Sequence, residues 1–323
     1  MDAIRPSQRR TQEATKMTSL YGLLEQIEQN KERNLQWFLD FAKDYLDFTR
    51  FGDNNTPRIQ ADIISQNESQ YHFIQYKDDG KHCVTRPINS QIFITSNDID
   101  EAERKFKQAV KNIRDIQNEP ELRENVNKVI YTCQQCIGCT LDALNNSNKA
   151  KKKNGNYFEI LIRNTIKECG INIDDKDEIV SLPGTDYSMK FEHDVILLDE
   201  NNNEKAIGQL KTSSKDRIDK IFLDKFMYNK IKNTDIPHFA IFLNDVQRKE
   251  NSNPNLANFG VNGTFLPGHF KAYTIGLNPL NGVYYLDLLP SIARDNFFND
   301  KIFRFDKFLV EDMWKFFDLY GWI

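Results

Sequence analysis

The sequence has no large excess of one charge, no long apolar run and no signal-peptide core. Its 43 Lys and Arg residues are nearly balanced by 47 Asp and Glu residues, which excludes a protein that holds nucleic acid by net charge alone. No run of about 18 apolar residues occurs, so we predict no membrane-spanning helix. The basic residues among the first 17 are followed by no apolar core of signal-peptide length. We therefore expect a cytoplasmic protein without membrane association.

The sequence also lacks the even set of spaced cysteines that a secreted disulfide framework requires. Three of its five cysteines are bunched as Cys133, Cys136 and Cys139. Thiolates at this spacing can ligate zinc or an iron–sulfur cluster. They also follow one helical apolar stripe with Val129 and Ile137, and no second CxxC or paired His lies nearby. The pattern favours reduced thiols in a helix core and leaves metal binding open.

What the sequence does contain is regular apolar spacing, which divides the chain into two regions. Helical stripes predominate in residues 1–148, but residues 58–95 alternate apolar and polar side chains as strands do. We predict a mainly helical N-terminal region with a small antiparallel β insert. The polar, lysine-rich segment 145–156 is the expected boundary, so residues 149–323 form the second predicted domain.

The second region is predicted to alternate helices and strands in the order α-β-β-β-α-β. The apolar run Val195 to Leu198 has the composition of a strand that is covered on both faces. The fold class is therefore α/β (α+β), a mixed β-sheet flanked by helices. The predicted elements are a helix ending near Gly170, strands at 178–184, 191–199 and 205–211, a helix at 216–232 and a strand at 237–243.

Three polar residues interrupt the apolar hairpin formed by the second and third of these strands. If the hairpin folds back at Asn201 and Asn202, Asp194 faces Gln209, and opposed residues project to the same side with Cβ atoms about 5 Å apart. Lys211, two residues further on, shares that side. Spacing alone also allows a structural ion pair between Asp194 and Lys211. Burial of a carboxylate, an amide and an ammonium is costly, however, unless they have a partner or a function.

These residues resemble the active site of the PD-(D/E)XK nuclease superfamily. The resemblance rests on Asp194 in HDVILL, Gln209-Leu210-Lys211 in IGQLKTS and Glu159 in GNYFEILI. The run KAKKKNGNYFEILI is also similar to the helix that opens the catalytic domain of restriction endonucleases in this group. The resemblance covers roughly residues 150–245, and its specificity comes from the order of elements.

Two residues depart from the family pattern. His193 stands where the motif has its Pro, and Gln209 replaces the usual acid. The second departure matters more, because a neutral amide is a poorer ligand for a hard cation than a carboxylate. Asp194 and Glu159 are then the anionic ligands that remain.

The resemblance implies a site-specific, Mg²⁺-dependent endonuclease that cuts double-stranded DNA, of the type II restriction class. It implies that Asp194, the Gln209 side-chain oxygen and the Leu210 backbone carbonyl hold the ion, and that Lys211 orients or activates the attacking water. Glu159 is the further metal-site residue, which binds a second ion or a metal-bound water. The resemblance also implies a homodimer and a DNA methyltransferase in the same system, with the N-terminal region serving recognition or dimerisation. The expected DNA contacts are Lys151, Lys152, Lys153, Asn154, Thr212, Ser213, Ser214, Lys215 and Arg217.

Two other functions remain open at this point. A repair, recombination or transposon nuclease uses the same fold, and it is distinguished by nicking of branched DNA instead of cleavage at one fixed sequence. A catalytically silent DNA-binding module is the alternative that Gln209 supports, since the substitution weakens the ion site.

Overall fold

The computed structural model describes residues 19–29, 33–50, 60–64, 70–78, 81–249 and 260–318. The prediction made for the first 17 residues lies outside these ranges. Within them, none of the helices combines the length and the apolar character needed to cross a bilayer.

In the part of the N-terminal region that the structure describes, four helices accompany a small antiparallel sheet, as the apolar spacing predicts. Strand β2 is central in this sheet, because it pairs with β1, β3 and β4. The elements are α1 (Leu20–Gln29), α2 (Leu35–Arg50), β1 (Gln60–Ile64), β2 (Gln70–Asp78), β3 (Lys81–Val84), β4 (Ile88–Asn89), α3 (Ile99–Lys111), a 3₁₀ turn (Asp115–Asn118) and α4 (Pro120–Leu141).

Helix α4 runs through the core, and it carries the three bunched cysteines. Cys133, Cys136 and Cys139 are all 0% exposed, and burial raises the pKa of each thiol. The core position predicted from the helical stripe is therefore confirmed. Among the described residues, no group of three His, Cys, Asp or Glu side chains is arranged to hold a metal ion.

The C-terminal region is built on a six-stranded mixed sheet flanked by helices. Its elements are α5 (Ser147–Glu168), β5 (Asn172–Asp174), β6 (Asp177–Ser181), β7 (Ser188–Glu192), β8 (Val195–Leu198), β9 (Glu204–Lys211), α6 (Ile218–Lys232), β10 (His238–Phe242), β11 (Val246–Lys249), β12 (Gly260–Gly263), α7 (Pro267–Gly276), β13 (Gly282–Tyr285), α8 (Pro290–Ala293), β14 (Ile302–Arg304), α9 (Phe305–Lys307), a π turn (Phe308–Asp312) and α10 (Met313–Asp318).

The strand order of this sheet is β14-β13-β10-β9-β8-β5. Strands β5, β8 and β9 are antiparallel neighbours, whereas β9, β10, β13 and β14 run parallel. The carboxyl ends of β9, β10 and β13 and the amino end of β8 therefore meet at one edge. This edge positions the polar residues described below.

The strand predicted at 178–184 lies outside this sheet. It is found as β6, which pairs with β7 in a separate hairpin, and the first strand of the central sheet is the short β5. The strand predicted at 191–199 is divided into β7 and β8 at His193 and Asp194. His193 N donates to Lys176 O at 3.3 Å, which turns the chain out of the hairpin before β8 begins.

The β8–β9 hairpin has the register that the sequence predicts up to Leu197, after which a bulge shifts the pairing by one residue. Val195 pairs with Gly208 and Ile196 with Ile207, so continuing the ladder by one residue sets Asp194 opposite Gln209. A Cβ at Gly208 would lie 2.4 Å from the Phe239 ring and 2.6 Å from the Val195 side chain. The lack of a side chain at Gly208 thus allows these core residues to pack directly beside the site.

Helix α5 begins within the segment predicted to separate the two regions. The Asn146 side chain caps it by accepting from Lys149 N at 2.9 Å, and Lys151 and Lys152 in its first turns are exposed. Tyr157 Oη donates to Ile27 O at 2.6 Å, and one hydrophobic cluster includes residues from both regions. The division at 148/149 falls in the first turn of α5, and it stays a prediction.

Candidate active site

The bend before β8 brings Asp194 against the end of β9. Asp194 Oδ2 accepts a hydrogen bond from Leu210 N at 2.7 Å and forms an ion pair with Lys211 Nζ. Gln209 Nε2 donates to Glu192 O at 2.9 Å. The hairpin therefore brings Asp194, Gln209 and Lys211 together, because its register places all three on one side of the sheet edge.

The backbone of β9 directs the Leu210 carbonyl toward the same place. Ile207 N donates to Pro237 O, and Lys211 O accepts from Leu243 N, so the odd-numbered residues of β9 bond toward β10. Peptide groups alternate along a strand, and Leu210 therefore turns its N–H and C=O toward the β8 side, where Asp194 lies. Gln209 presents its side-chain oxygen away from the Glu192 carbonyl that its amide nitrogen contacts.

Helix α5 adds a second carboxylate to this cluster. Glu159 Oε1 lies 3.8 Å from Lys211 Nζ, which places the ammonium between Glu159 and Asp194. Burial, and next the negative charge of Asp194, raise the pKa of Glu159. One turn further along α5, Arg163 donates to Asp194 O at 3.2 Å and pairs with Asp175. Arg163 thus ties helix α5 to the Asp194 backbone.

The donor set of this cluster fits a hard divalent cation. Asp194 and Glu159 supply carboxylate oxygens, and Gln209 and the Leu210 backbone supply neutral carbonyl oxygens, which are the ligand types that Mg²⁺ takes from proteins. The charge of Asp194 raises the pKa of Glu159, so a cation between the two carboxylates would relieve their repulsion. The cluster has two carboxylates, and the Gln209 amide stands where the motif that these residues resemble has an acid.

The cluster lies at the floor of a cleft of about 1050 Å³ with a basic rim. Most of the residues predicted to contact DNA line this cleft, but two do not. Asn154 is buried and accepts from Gln134 Nε2 at 3.0 Å, and Ser214 is buried and donates to Asp245 at 2.5 Å. The predicted contacts that line the cleft are Lys151, Lys152, Lys153, Thr212, Ser213, Lys215 and Arg217.

Several cleft residues were not among the predicted contacts. Asn156 stands on α5, Glu192 ends β7, and Lys220 lies in the first turn of α6. Asn156 could have been found from spacing, because positions 149, 152, 156 and 159 recur every three or four residues and so share one helix face. Glu192 and Lys220 carry no such signal, since they reach the cleft only through the tertiary fold.

A carboxylate on α1 partly neutralises the lysines at the rim. Glu28 Oε1 lies 3.2 Å from both Lys149 Nζ and Lys153 Nζ, and these two lysines lower the pKa of Glu28. Lys151 and Lys152 are exposed. The rim therefore offers both paired and solvated cations.

A comparison with solved structures agrees with the fold, whereas comparisons of the sequence find no match. The sequence matches no protein-family model, and no protein of curated function matches it. The structure is similar to the crystal structure of the type IIP restriction endonuclease Kpn2I, with a TM-score of 0.64 and 18% identity, over 97% of this chain and 98% of that one. At this identity the likeness establishes a restriction-endonuclease-like fold.

Proposed function

We propose that this chain is a Mg²⁺-dependent, site-specific endonuclease of double-stranded DNA, of the type II restriction class, with a PD-(D/E)XK site in which Gln209 stands for the second acid. The observation that carries the proposal is the position of Lys211 Nζ, paired with Asp194 and 3.8 Å from Glu159, at the floor of a cleft with a basic rim. An ammonium held between two carboxylates is suited to a reaction in which charge is rearranged at a phosphate.

Asp194, the Gln209 side-chain oxygen, the Leu210 carbonyl and Glu159 are the groups that hold Mg²⁺ in this proposal. When bound, the ion polarises the scissile phosphate and stabilises the charge that develops there. Glu159 contributes the second carboxylate; burial raises its pKa, so a cation bound there displaces a proton and offsets the charge of Asp194. Gln209 keeps its oxygen in place because its amide nitrogen is held by Glu192 O at 2.9 Å.

Lys211 orients the attacking water and lowers the cost of removing its proton. Its ammonium is a strong hydrogen-bond donor, and its side chain is 27% exposed, so it meets both the carboxylates and the solvent of the cleft. The pairing with Asp194 fixes the direction of the side chain before substrate arrives, which reduces the entropy lost on binding.

The cleft rim binds the phosphates on both sides of the scissile bond. Lys151 and Lys152 extend from α5, and Lys215 and Arg217 extend from the loop between β9 and α6; all four are exposed. Phosphate contacts position the duplex, and base contacts, which this surface does not assign, specify the sequence.

The wider expectations of the resemblance belong to the same proposal. The series α5, β5, β8, β9, α6 and β10 supports the α-β-β-β-α-β nuclease core. The similarity to Kpn2I supports a restriction system, in which we expect a homodimer in the cytoplasm and a partner DNA methyltransferase.

One gel tests the proposal. The protein is incubated with a plasmid in Mg²⁺, with the plasmid in Mg²⁺ and excess EDTA, and with a branched DNA substrate in Mg²⁺. We expect discrete linear fragments from the plasmid in Mg²⁺ only. Nicking confined to the branched substrate would indicate a repair or recombination nuclease, and binding of DNA without any cleavage would indicate a silent module; either result would overturn the proposal.

A further inference from the structure

A buried carboxylate, Asp245, lies directly behind the basic loop that joins β9 to α6. It is 0% exposed. Its Oδ1 accepts from Ser213 Oγ and from Ser214 N, both at 2.8 Å, and its Oδ2 accepts from Ser214 Oγ at 2.5 Å and from Tyr285 Oη at 2.6 Å. Thr264 Oγ1 lies 3.5 Å from Oδ1. These neutral donors satisfy an anion whose burial is otherwise costly.

Most of these hydrogen bonds come from the loop itself. Ser213 Oγ also accepts from Lys215 N at 3.1 Å, and Ser214 O accepts from Arg217 N at 3.0 Å. Between these two contacts Asp216 adopts a left-handed conformation with φ 56°, which a non-glycine residue holds only where its surroundings fix it. The hydrogen bonds of Asp245 therefore determine the path of the chain from Lys211 to α6.

The two exposed cations of this loop face the cleft. Lys215 and Arg217 line it, and their backbone nitrogens are held by Ser213 and Ser214, the residues that Asp245 fixes. The hydroxyl protons of Ser213 and Ser214 are directed to Asp245. These serines thus serve the conformation of the loop, and the charges of Lys215 and Arg217 are the groups left for a phosphate.

We propose that Asp245 is a positioning residue for DNA binding, which holds residues 212–217 so that Lys215 and Arg217 meet the phosphates of the duplex. This inference rests on the proposed function. A loop already fixed in its binding conformation loses less entropy when the ligand arrives. Asp245 itself lies away from the substrate, since it is covered by the loop that it holds.

The test is the salt dependence of DNA affinity. In Asp245→Asn an NH₂ group replaces an oxygen that accepts hydrogen bonds, so the loop loses its fixed path. We expect the affinity for a fluorescent duplex, taken from a plasmid fragment that the wild type cuts and titrated in EDTA, to fall by about 10-fold at 0.1 M salt. The slope of log affinity against log salt should fall by about 1 to 2, as for loss of one or two phosphate contacts.

A double-mutant cycle separates positioning from general damage. The Lys215→Ala/Arg217→Ala variant lowers the slope by about 2, and Asp245→Asn added to it should weaken binding little further, because the two changes act through the same contacts. Asp287→Asn is the matched control, because Asp287 is also buried at this sheet edge but bonds to Tyr71 and Asn89. It should leave the slope unchanged.

Ser213→Ala is the second variant, for the case in which Asp245→Asn does not fold. It keeps the carboxylate and removes the contact to Lys215 N, so it should lower the slope by about 1. Wild-type affinity and slope in Asp245→Asn, or in Ser213→Ala if only that variant folds, would overturn the inference. Full additivity with the Lys215/Arg217 changes would overturn it as well. A wild-type protein that neither binds nor cuts DNA would instead overturn the proposed function.

Discussion

Two of the polar clusters at this edge of the central sheet differ in access: the cluster of Asp194 opens on the cleft, whereas that of Asp287 is buried. Asp194, before β8, is paired with Lys211, and their side chains are 12% and 27% exposed. Asp287, just after β13, is 3% exposed and accepts from Tyr71 Oη at 3.0 Å and Asn89 Nδ2 at 2.8 Å. One carboxylate faces a cation and solvent, whereas the other is enclosed by neutral donors.

The difference shows that burial of a carboxylate does not by itself mark a functional site. Asp287 joins the N-terminal sheet to the central sheet, because Tyr71 lies on β2 and Asn89 on β4. Asp194 has a similar location in the sheet but adds a second carboxylate, a cation and access to solvent. The proposed function therefore rests on the convergence of these groups and on their access to solvent, and the predictions below test whether the two clusters differ in this way.

The largest effect is expected from loss of the ammonium in the open cluster. Lys211→Ala should lower the rate of plasmid cleavage on the order of 10³-fold and leave DNA affinity nearly unchanged, because the charge acts on the reacting groups. Single-turnover cleavage and a binding titration measure the two effects. Lys205→Ala is the control, since Lys205 stands at the other end of β9 and pairs with Asp199 at 3.1 Å. Equal cleavage by the two variants would remove Lys211 from the site.

The enclosed cluster should affect stability and its pH dependence instead of cleavage. Burial raises the pKa of Asp287 from 3.8 to about 6, so the folded state favours the protonated acid. The resulting stabilisation is complete below the pKa of the unfolded chain and is lost as the pH rises through about 6.

Asp287→Asn removes this dependence. From pH 4 to pH 7, the free energy of unfolding of the wild type should fall by up to about 3 kcal/mol relative to that of the variant. Urea unfolding of both proteins across this range measures the difference. Parallel pH profiles would show that Asp287 is not the titrating group, and loss of cleavage in the variant would remove the distinction between the clusters.

Much of the open cluster could be predicted because its residues are close in sequence. The register of the β8–β9 hairpin follows from a fold-back at Asn201 and Asn202 between two apolar strands, and it sets Asp194, Gln209 and Lys211 side by side. The helical period of α4 likewise predicts burial of at least two of the three cysteines, and all three are buried. Local periodicity is sufficient for both features.

The remaining features depend on pairings that local periodicity does not encode. The segment 178–184 has the composition of a sheet strand, yet it pairs with β7 outside the central sheet. Asp287 accepts a hydrogen bond from Tyr71, which is distant in sequence. Asp245 accepts one from Ser214, which follows another strand, β9. The inward direction of Asn154 and Ser214 likewise depends on partners, Gln134 and Asp245, that the motif does not include.

A smaller loss of activity is expected at the edge of the open cluster. Glu159→Gln keeps the size of the side chain and removes its charge, so cleavage should fall by about 10- to 100-fold, as for residues that support an ion site. Excess Mg²⁺ should recover part of the rate, because the variant loses affinity for the ion. Glu168→Gln, at the end of the same helix, is the control; a wild-type rate in Glu159→Gln would confine the cluster to the hairpin.

The smallest effect is expected at the rim. Lys152→Ala should reduce the slope of log affinity against log salt by about 1 and leave single-turnover cleavage at saturating DNA unchanged. Lys107→Ala provides the comparison, since Lys107 pairs with Glu103 within α3, and it should leave both quantities as in the wild type. Identical slopes in the two variants would show that the duplex does not pass over α5.

Uptake of a paramagnetic ion tests the contrast between the clusters most directly. Mn²⁺ takes the same oxygen ligands as Mg²⁺, and its electron paramagnetic resonance signal reports the bound fraction for the wild type, Asp194→Asn and Asp287→Asn, each with uncleaved DNA present. We predict that the wild type and Asp287→Asn bind Mn²⁺ alike and that Asp194→Asn loses this binding. Undiminished binding by Asp194→Asn would contradict the ion site at the end of β9.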